Sequence, residues 1–302
     1  MISNNIYTNY LFGYKKIIGI LCLSIIGFSL FSCRKLIEAK PTASVILETQ
    51  VFTDDETAIS AVTGIFVSMG LDNIHAFAGR GSISLFAGLS ADEFTLANNV
   101  TTNNLVAYYQ NALTQVIAPL TGSETWPQLY QLIFRCNSAI KNLSASTADI
   151  LTPAVRNQLI GETKFIRALF YFYLVNMYGD IPLVTSTDPF INIKLGRSSV
   201  TDVYSFIIKE LKDAKAILSE NFLTVQLTSA STERVRPTKW VAAALLARAY
   251  LYSQQYNLAE EEATYVISNS GLFDLLPLND VFLKNSKEAI WQLQPTQNNL
   301  IQ

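Results

Sequence analysis

Apolar residues recur at helical spacing along much of the chain, and this pattern begins after about fifty residues. Thr53 stands three residues before Glu56, which is the spacing of a capping box at the start of a helix. Gly70 follows the last apolar position of the run. We therefore predict an amphipathic helix over residues 53–70. Its apolar face would consist of Ile59, Val62, Ile65, Phe66 and Met69.

The longest helical pattern begins at Thr152-Pro153 and continues to Tyr178. A proline is tolerated in the first turn of a helix, where its missing N–H has no partner to lose. Gly179 then suits the left-handed conformation that often ends a helix. The sequence predicts one helix between these two signals.

This helix contains the most aromatic stretch of the chain, "KFIRALFYFYLVNMYGDIPLV", over residues 164–184. Such a stretch has three interpretations: a membrane span, a sugar-binding platform or a core helix. Only eight apolar residues lie between Arg167 and Asn176, whereas a span needs about twenty. Aromatic residues cover opposite sides of the helix, which predicts burial on several faces. Arg167 within this helix would need a partner.

Two further helices flank this long one. Trp126-Pro127 predicts a helix start, again with proline near the first position. Ser198-Ser199 predicts another start, because serine is a favoured N-terminal cap and apolar residues follow at helical spacing. Both helices would present one apolar stripe to a common core.

A helix pair is predicted over residues 237–267, with the connection near Ser253 to Tyr256. Small and aromatic residues in this segment stand at the offsets of a tetratricopeptide helix pair. An ordinary antiparallel helix pair would share this pattern. The matching positions are Ala247, Tyr250, Tyr256 and Ala259.

The remaining segments predict loops and one short strand. Residues 219–236 have the composition of a polar linker, and residues 288–294 alternate around Ile290 and Leu293 as a short strand would. The chain is therefore mainly α, with long loops and few short strands.

Candidate ligand-binding residues come from the loop-rich segment 71–124. Gly, Ala, Asn, Ser and Thr dominate it, and helical periodicity is weak, which predicts long loops with short helices. Binding residues concentrate in loops held by a rigid scaffold. We predict Phe94, Tyr108 and Tyr109 as ligand contacts, with buried loop anchors as the alternative. Trp126 is predicted to pack at its helix start.

The N-terminus predicts export. Lys15-Lys16 precedes an apolar run of about fourteen residues, which is too short for a membrane helix and typical of a signal peptide. Cys33 follows Leu30 and Ser32, a pattern that resembles the bacterial lipobox. We predict a lipoprotein signal peptide over residues 1–32 and lipid on Cys33. An ordinary signal peptide with a chance cysteine is the alternative.

Composition and reactive residues argue against catalysis. Half of the 302 residues are hydrophobic and the net charge is −2, so the chain can bury a large core and has no basic footprint for nucleic acid. His75 is the single histidine, which disfavours a zinc site or a serine triad. Asp92-Glu93 is an acidic pair that more often forms a solvated turn. Cys136 would be alone in the mature chain, so no intrachain disulfide can form. We predict no catalytic residue, metal or cofactor.

The order of these segments resembles the SusD/RagB-like nutrient-binding lipoproteins of Bacteroidetes outer membranes. The resemblance covers most of residues 33–294, and the block from Gly161 to Val184 is its most specific part. The matching blocks are "RKLIEAKPT", "VFTDDETAISAVTGIFVSM", "LSADEF", "WPQLYQLIFRCNSAIKNL", "GETKFIRALFYFYLVNMYGDIPLV", "GRSSVTDVYSFIIKELKDAKAIL", "RPTKWVAAALLARAYLYSQQYNLAEEEATYVI" and "KEAIWQLQ".

The resemblance implies a SusD-like helical scaffold with tetratricopeptide-like helix pairs. It also implies a non-enzymatic lipoprotein, anchored at the surface of the outer membrane, that passes oligosaccharides or peptides to a SusC-like TonB-dependent transporter. The implied domains are a lipidated tether over residues 33–52 and a helical domain over residues 53–302. Because family members are usually longer, this domain is expected to be incomplete at its C-terminus. A surface scaffold that binds proteins without capturing nutrients is the alternative function.

Overall fold

The computed structural model of the protein describes residues 51–70, 83–101, 103–114, 118–147 and 149–293. Several predictions lie outside these ranges. They concern the signal peptide, Cys33, most of the tether and His75. Everything below refers to the described residues, which belong to one compact unit that extends over residues 48–302.

Helices dominate the described residues, whose β-bridges are the two isolated antiparallel ones that pair Ile181 with Ser198 and Leu223 with Ala230. The predicted mainly-α class is therefore confirmed. The helices are α1 (Asp55–Met69), α2 (Ile83–Ser90), α3 (Asn103–Tyr109), α4 (Ala118–Ala145), α5 (Pro153–Tyr178), α6 (Pro189–Asn192), α7 (Val200–Ile217), α8 (Lys239–Tyr252) and α9 (Tyr256–Ile267).

Helix α1 forms where it was predicted, but its cap is a different residue. Asp54, not Thr53, has the extended backbone of an N-cap, and its carboxylate accepts a hydrogen bond from the Thr57 N–H at 2.8 Å. That hydrogen bond lowers the pKa of Asp54. A carboxylate also interacts favourably with the positive end of the helix, so Asp54 is the better cap.

Helix α4 begins earlier than predicted. It starts at Ala118, so Pro127 lies inside the helix instead of at its first position. An internal proline removes one backbone hydrogen bond and costs about 3 kcal/mol. The buried side chains that follow this proline offset the cost by packing in the core. They include Leu129, Leu132, Ile133 and Cys136.

Helix α5 has the predicted bounds and the predicted core position. Gly179 ends it with φ 68° and ψ −126°, so the positive φ is confirmed while ψ lies outside the left-handed helical region. Aromatic side chains from opposite sides of the helix, such as Phe165 and Phe170, are buried. The stretch is therefore part of the core, and neither a span nor an exposed platform.

The helices pack mainly on their neighbours in the chain. Helix α5 contacts α4 on one side and α7 on the other, α7 contacts α8, and α8 contacts α9, while α1 lies against α4 and α5. The predicted pair α8–α9 forms, with Tyr250 and Ala259 buried and Tyr256 exposed. This arrangement is a tetratricopeptide-like stack.

Buried charges connect the helices of this stack. The Arg167 guanidinium of α5 donates from Nε to Glu210 of α7 at 2.9 Å and from an Nη atom to Asn137 of α4 at 2.8 Å. The predicted need of Arg167 for a partner is confirmed. Glu162 of α5 forms a second buried ion pair with Arg236 at 2.7 Å.

Two irregular segments differ from their predictions. The linker 219–236 is not simply a solvated connection, because Arg234 is buried and donates to the carbonyls of Leu272 and Ala289. The strand predicted over residues 288–294 is absent from residues 288–293. These residues instead pack their apolar side chains on the main core, and the Trp291 indole donates to the Val235 carbonyl at 2.9 Å.

Candidate functional site

The predicted ligand residues come together on α2, α3 and the turn between them. Ser90 at the end of α2 donates through its hydroxyl to the Tyr108 carbonyl at 3.3 Å. Asn111 donates through its amide to the Ser90 carbonyl at 3.2 Å. The rings of Phe86 and Tyr108 lie 4.6 Å apart between centroids. Short polar contacts and one ring pair therefore hold the two helices together.

Phe94 lies against α2 because residue 88 is glycine. A Cβ at Gly88 would come within 2.5 Å of the Phe94 ring, and the Phe94 N–H donates to the Gly88 carbonyl at 3.2 Å. Phe94 nevertheless remains 45% exposed. Phe94 is thus a positioned side chain with a face open to solvent.

Tyr109 is 38% exposed and Tyr108 is half-buried. The three predicted residues therefore share one small substructure, in which Tyr108 packs on Phe86 and Phe94 packs against α2 at Gly88. We call Phe86, Phe94, Tyr108 and Tyr109 the aromatic patch. Residues of this type, with one face packed and one face open, can bind the apolar face of a ligand.

Trp126 lies in a second group of aromatic residues, which we call the tryptophan cluster: Trp126, Tyr130, Tyr178 and Arg197. The Trp126 ring lies 5.0 Å from both tyrosine rings, and the Arg197 guanidinium stands 5.4 Å above it. Trp126 thus packs as predicted, although in the middle of α4. Burial raises the pKa of Tyr178, and the Tyr108 phenol raises it further, so these two phenols lie close enough to interact electrostatically.

Sequence reasoning missed that Tyr178 lies near Tyr108 of the patch and that Arg197 packs over Trp126. Tyr178 belongs to the last turn of α5, and Arg197 stands in the loop before α7. One signal in the sequence indicated that these two residues could lie at the protein surface. A tyrosine or an arginine at the end of a helix or in a loop often extends its polar group into solvent. Which aromatic group they join depends on how α4 and α5 pack.

The acidic pair Asp92-Glu93 and the single described cysteine, Cys136, lie in different surroundings. Asp92 and Glu93 are exposed in the turn after α2, where Asp92 has φ 60°. Burial raises the pKa of the Cys136 thiol to about 12, so its thiolate is scarce at neutral pH. Within the described ranges, no three acidic, histidine or cysteine side chains gather as metal ligands would.

An apolar pocket of about 490 Å³ opens beside α5 and α8. Its size is within the range of about 300–1,000 Å³ that is usual for ligand sites. Arg248 and Glu288 supply its charged groups. The apolar lining includes Met69, Phe165, Leu169, Tyr173, Trp291 and Leu293.

Among the helices in the described part of the chain, none is both long and apolar enough to cross a bilayer. The longest apolar candidate, α5, carries the buried charges described above. Its hydrophobicity therefore serves the core of this helical stack.

Residues 57–251 match the model of a SusD-like family described as starch-binding and associating with the outer membrane. The match includes α2 to α7 and nearly all of α1 and α8. The chain belongs to the SusD-like family. The fold class and the resemblance drawn from the sequence are both confirmed.

Curated relatives are also SusD-like proteins. SusD-like protein P25 of Formosa agariphila is 28% identical over 287 residues, which are 92% of this chain and 52% of the relative. SusD-like protein P2 of the same organism is 27% identical over 87% of this chain and 47% of its own length. The chain thus spans about half the length of these curated relatives.

Solved SusD-like structures share the fold. A SusD superfamily protein from Bacteroides vulgatus has a TM-score of 0.66 at 20% identity, with 80% of this chain and 50% of that chain covered. A laminarin-binding SusD-like protein has a TM-score of 0.58 at 21% identity, with 76% and 46% covered. The helical stack is therefore the family's architecture.

Proposed function

We propose that the protein is a non-catalytic, cell-surface lipoprotein that captures glycans and delivers them to a SusC-like TonB-dependent transporter in the outer membrane. Membership of a family described as starch-binding and associating with the outer membrane carries this proposal. The lipobox-like sequence that ends at Cys33 supports the anchoring step. Several acyl chains on one cysteine would hold the protein firmly, because each buried CH₂ contributes about 0.8 kcal/mol.

The domain organisation follows from the same proposal. Residues 1–32 direct export and are removed, Cys33 carries lipid, residues 33–52 form a tether, and residues 53–302 form the SusD-like helical domain. The stack of α4, α5, α7, α8 and α9 acts as a rigid scaffold in this arrangement.

The aromatic patch supplies the ligand contacts in this proposal. Sugar rings have apolar C–H faces that pack on exposed aromatic rings, and Phe94 and Tyr109 present such rings. The Tyr109 hydroxyl can also exchange hydrogen bonds with sugar hydroxyls. Peptides would use the same rings but would also require partners for their backbone amides, so glycans fit this patch better.

A binding experiment with matched variants tests the patch. The triple variant Phe94→Ala, Tyr108→Ala, Tyr109→Ala should weaken binding of maltohexaose or laminarihexaose at least about tenfold by calorimetry. The control is Phe134→Ala, because Phe134 is 47% exposed on α4 and lies outside the patch. A parallel peptide panel distinguishes the ligand class. Equal affinity of the triple variant and the control for every glycan that binds would contradict the patch assignment.

The alternative function, a scaffold that binds proteins without nutrient capture, is favoured by exposed apolar residues on the α8–α9 pair. Copurification from outer membranes separates the two functions. A transporter barrel that copurifies together with measurable glycan binding supports capture, whereas stable protein partners without glycan or peptide binding support the scaffold. The exposed residues are Leu251, Tyr256, Leu258 and Ile267.

A further inference from the structure

A second groove lies away from the aromatic patch, between the first turns of α7 and the turn that joins α8 to α9. Its volume is about 290 Å³, near the lower end of the range of about 300–1,000 Å³ for ligand sites. We call it the turn groove. It is lined by Val200, Thr201, Tyr204, Ser205, Ile208, Tyr252, Ser253, Gln254 and Gln255.

The lining is neutral and rich in hydrogen-bonding groups. It contains hydroxyls, two side-chain amides and two tyrosine rings, and none of its nine residues carries a charge at neutral pH. A phosphate, a carboxylate or an ammonium ligand would find no opposite charge in this lining. An uncharged ligand with many hydroxyls would find both donors and acceptors.

Tyr252 provides an aromatic surface at the edge of the turn groove. Tyr252 is 49% exposed. The Phe172 ring packs against it at 5.2 Å, and the Arg248 guanidinium lies 5.6 Å from its centroid. The ring is therefore held in place while part of it remains open, as stacking on a sugar would require.

The polar groups of the groove are also positioned. The Tyr204 hydroxyl donates to Asn176 at 3.0 Å, which fixes the ring at the groove's base. The Gln255 amide N–H donates to the Ser253 hydroxyl at 3.0 Å, and that hydroxyl donates to the Ala249 carbonyl at 2.8 Å. This chain leaves the Gln255 amide oxygen as an acceptor for a ligand hydroxyl.

Gln254 has an unusual backbone. Its φ of 62° is in a region that glycine occupies easily and other residues adopt at a cost of about 1–2 kcal/mol. Its side chain lines the turn groove and forms no hydrogen bond with another described residue. A glycine would make the turn without strain, but it would remove this amide from the groove.

From this combination we propose that the turn groove binds one neutral sugar unit of a glycan, as a saccharide site separate from the aromatic patch. Tyr252 packs on the C–H face of the sugar ring. Gln254, Gln255 and Thr201 exchange hydrogen bonds with its hydroxyls. The inference shares the glycan ligand class with the proposed function, but it rests on different residues.

The test uses the 302-residue chain with maltohexaose and laminarihexaose as probes, measured by saturation-transfer NMR and calorimetry. Tyr252→Ala should weaken binding at the turn groove at least about tenfold. Its matched control is Tyr256→Ala, because Tyr256 is 61% exposed four residues away and does not line the groove. Tyr256→Ala should leave binding unchanged.

Gln254→Gly keeps the test decisive if Tyr252→Ala fails to fold. This variant relieves the positive φ, so the midpoint of urea unfolding should not fall, while binding at the groove should weaken severalfold. Groove variants that bind both probes as the native chain does would overturn the inference. A native chain that binds neither probe at millimolar concentration would overturn it too.

The two sites fail in distinguishable ways. If the patch variant loses binding and the groove variants do not, the turn groove is not a saccharide site and the patch assignment stands. If only the groove variants lose binding, the turn groove is confirmed and the patch assignment is wrong. If the patch variant and the groove variants each lose part of the glycan binding, and each binds fewer glycan molecules per protein than the native chain, the result supports two separate sites.

Discussion

The aromatic residues of α5 and those of the aromatic patch have similar chemistry, but the protein uses them in opposite ways. In α5, Phe165, Phe170 and Phe172 are buried between neighbouring helices. In the patch, Phe94 packs against α2 and remains 45% exposed, and Tyr109 is 38% exposed. In this chain, many aromatic residues close together in the sequence therefore indicate a core helix. Aromatic residues that are scattered among small polar residues instead indicate candidate contacts to a ligand.

The first prediction compares two phenylalanines. Phe170→Ala should lower the free energy of unfolding by about 3–5 kcal/mol, because Phe170 is fully buried. Phe94→Ala removes the same atoms but should cost only about 0.5–1 kcal/mol, since Phe94 is half-exposed. Urea denaturation followed by circular dichroism measures both. Similar losses in the two variants would show that the patch is part of the core.

The second prediction concerns charges. Arg167→Leu should cost about 3–5 kcal/mol, because it removes the cation that is hydrogen-bonded to the buried Glu210 and leaves that carboxylate with only Lys164, whose Nζ lies 3.8 Å away. Lys209→Ala is the control: Lys209 forms an exposed ion pair with Asp213, which also pairs with Lys164. Exposed pairs contribute about 0–1 kcal/mol. A loss for Arg167→Leu as small as that for Lys209→Ala would exclude a central role for this buried network.

The third prediction compares two helical glycines. A Cβ at Gly161 of α5 would come within 2.8 Å of the buried Leu218 side chain, so Gly161→Ala should cost about 1–3 kcal/mol. A Cβ at Gly64 of α1 would meet no atom within 4 Å, so Gly64→Ala should stabilise the protein by about 0.5–1 kcal/mol. If both substitutions stabilise the protein, α5 and α7 pack less closely than described.

Sequence patterns predicted the regular helices well. The bounds of α5 and the start of α7 followed from strong periodicity together with Pro153, Gly179 and Ser199, which are local signals. The start of α4 was wrong because Pro127 is compatible with a helix start, and only tertiary packing shows that the helix continues through it. The cap of α1 was wrong by one residue, because Thr53 and Asp54 are both suitable caps.

Irregular segments were harder to predict. Apolar and polar residues alternate in residues 288–294 because the apolar side chains pack on helices. A β-strand with one buried face has the same alternation, so the pattern alone cannot distinguish the two structures. Arg234 and Arg236 looked like linker charges, yet both are buried by contacts with distant residues. In the site, the three predicted residues do share one substructure, while the approach of Tyr178 depends on a helix seventy residues further along the chain. Their role in binding remains a prediction.

The order in which the helices pack has a consequence for local opening. Helix α5 lies between α4 and α7, whereas α9 has α8 as its main helical neighbour. In such stacks stability is roughly a sum over neighbouring interfaces. Opening α9 breaks fewer of these interfaces than opening α5, so the backbone amides of α9 should exchange with solvent deuterium sooner. The turn groove includes the junction of α8 and α9, and a bound sugar should slow that exchange.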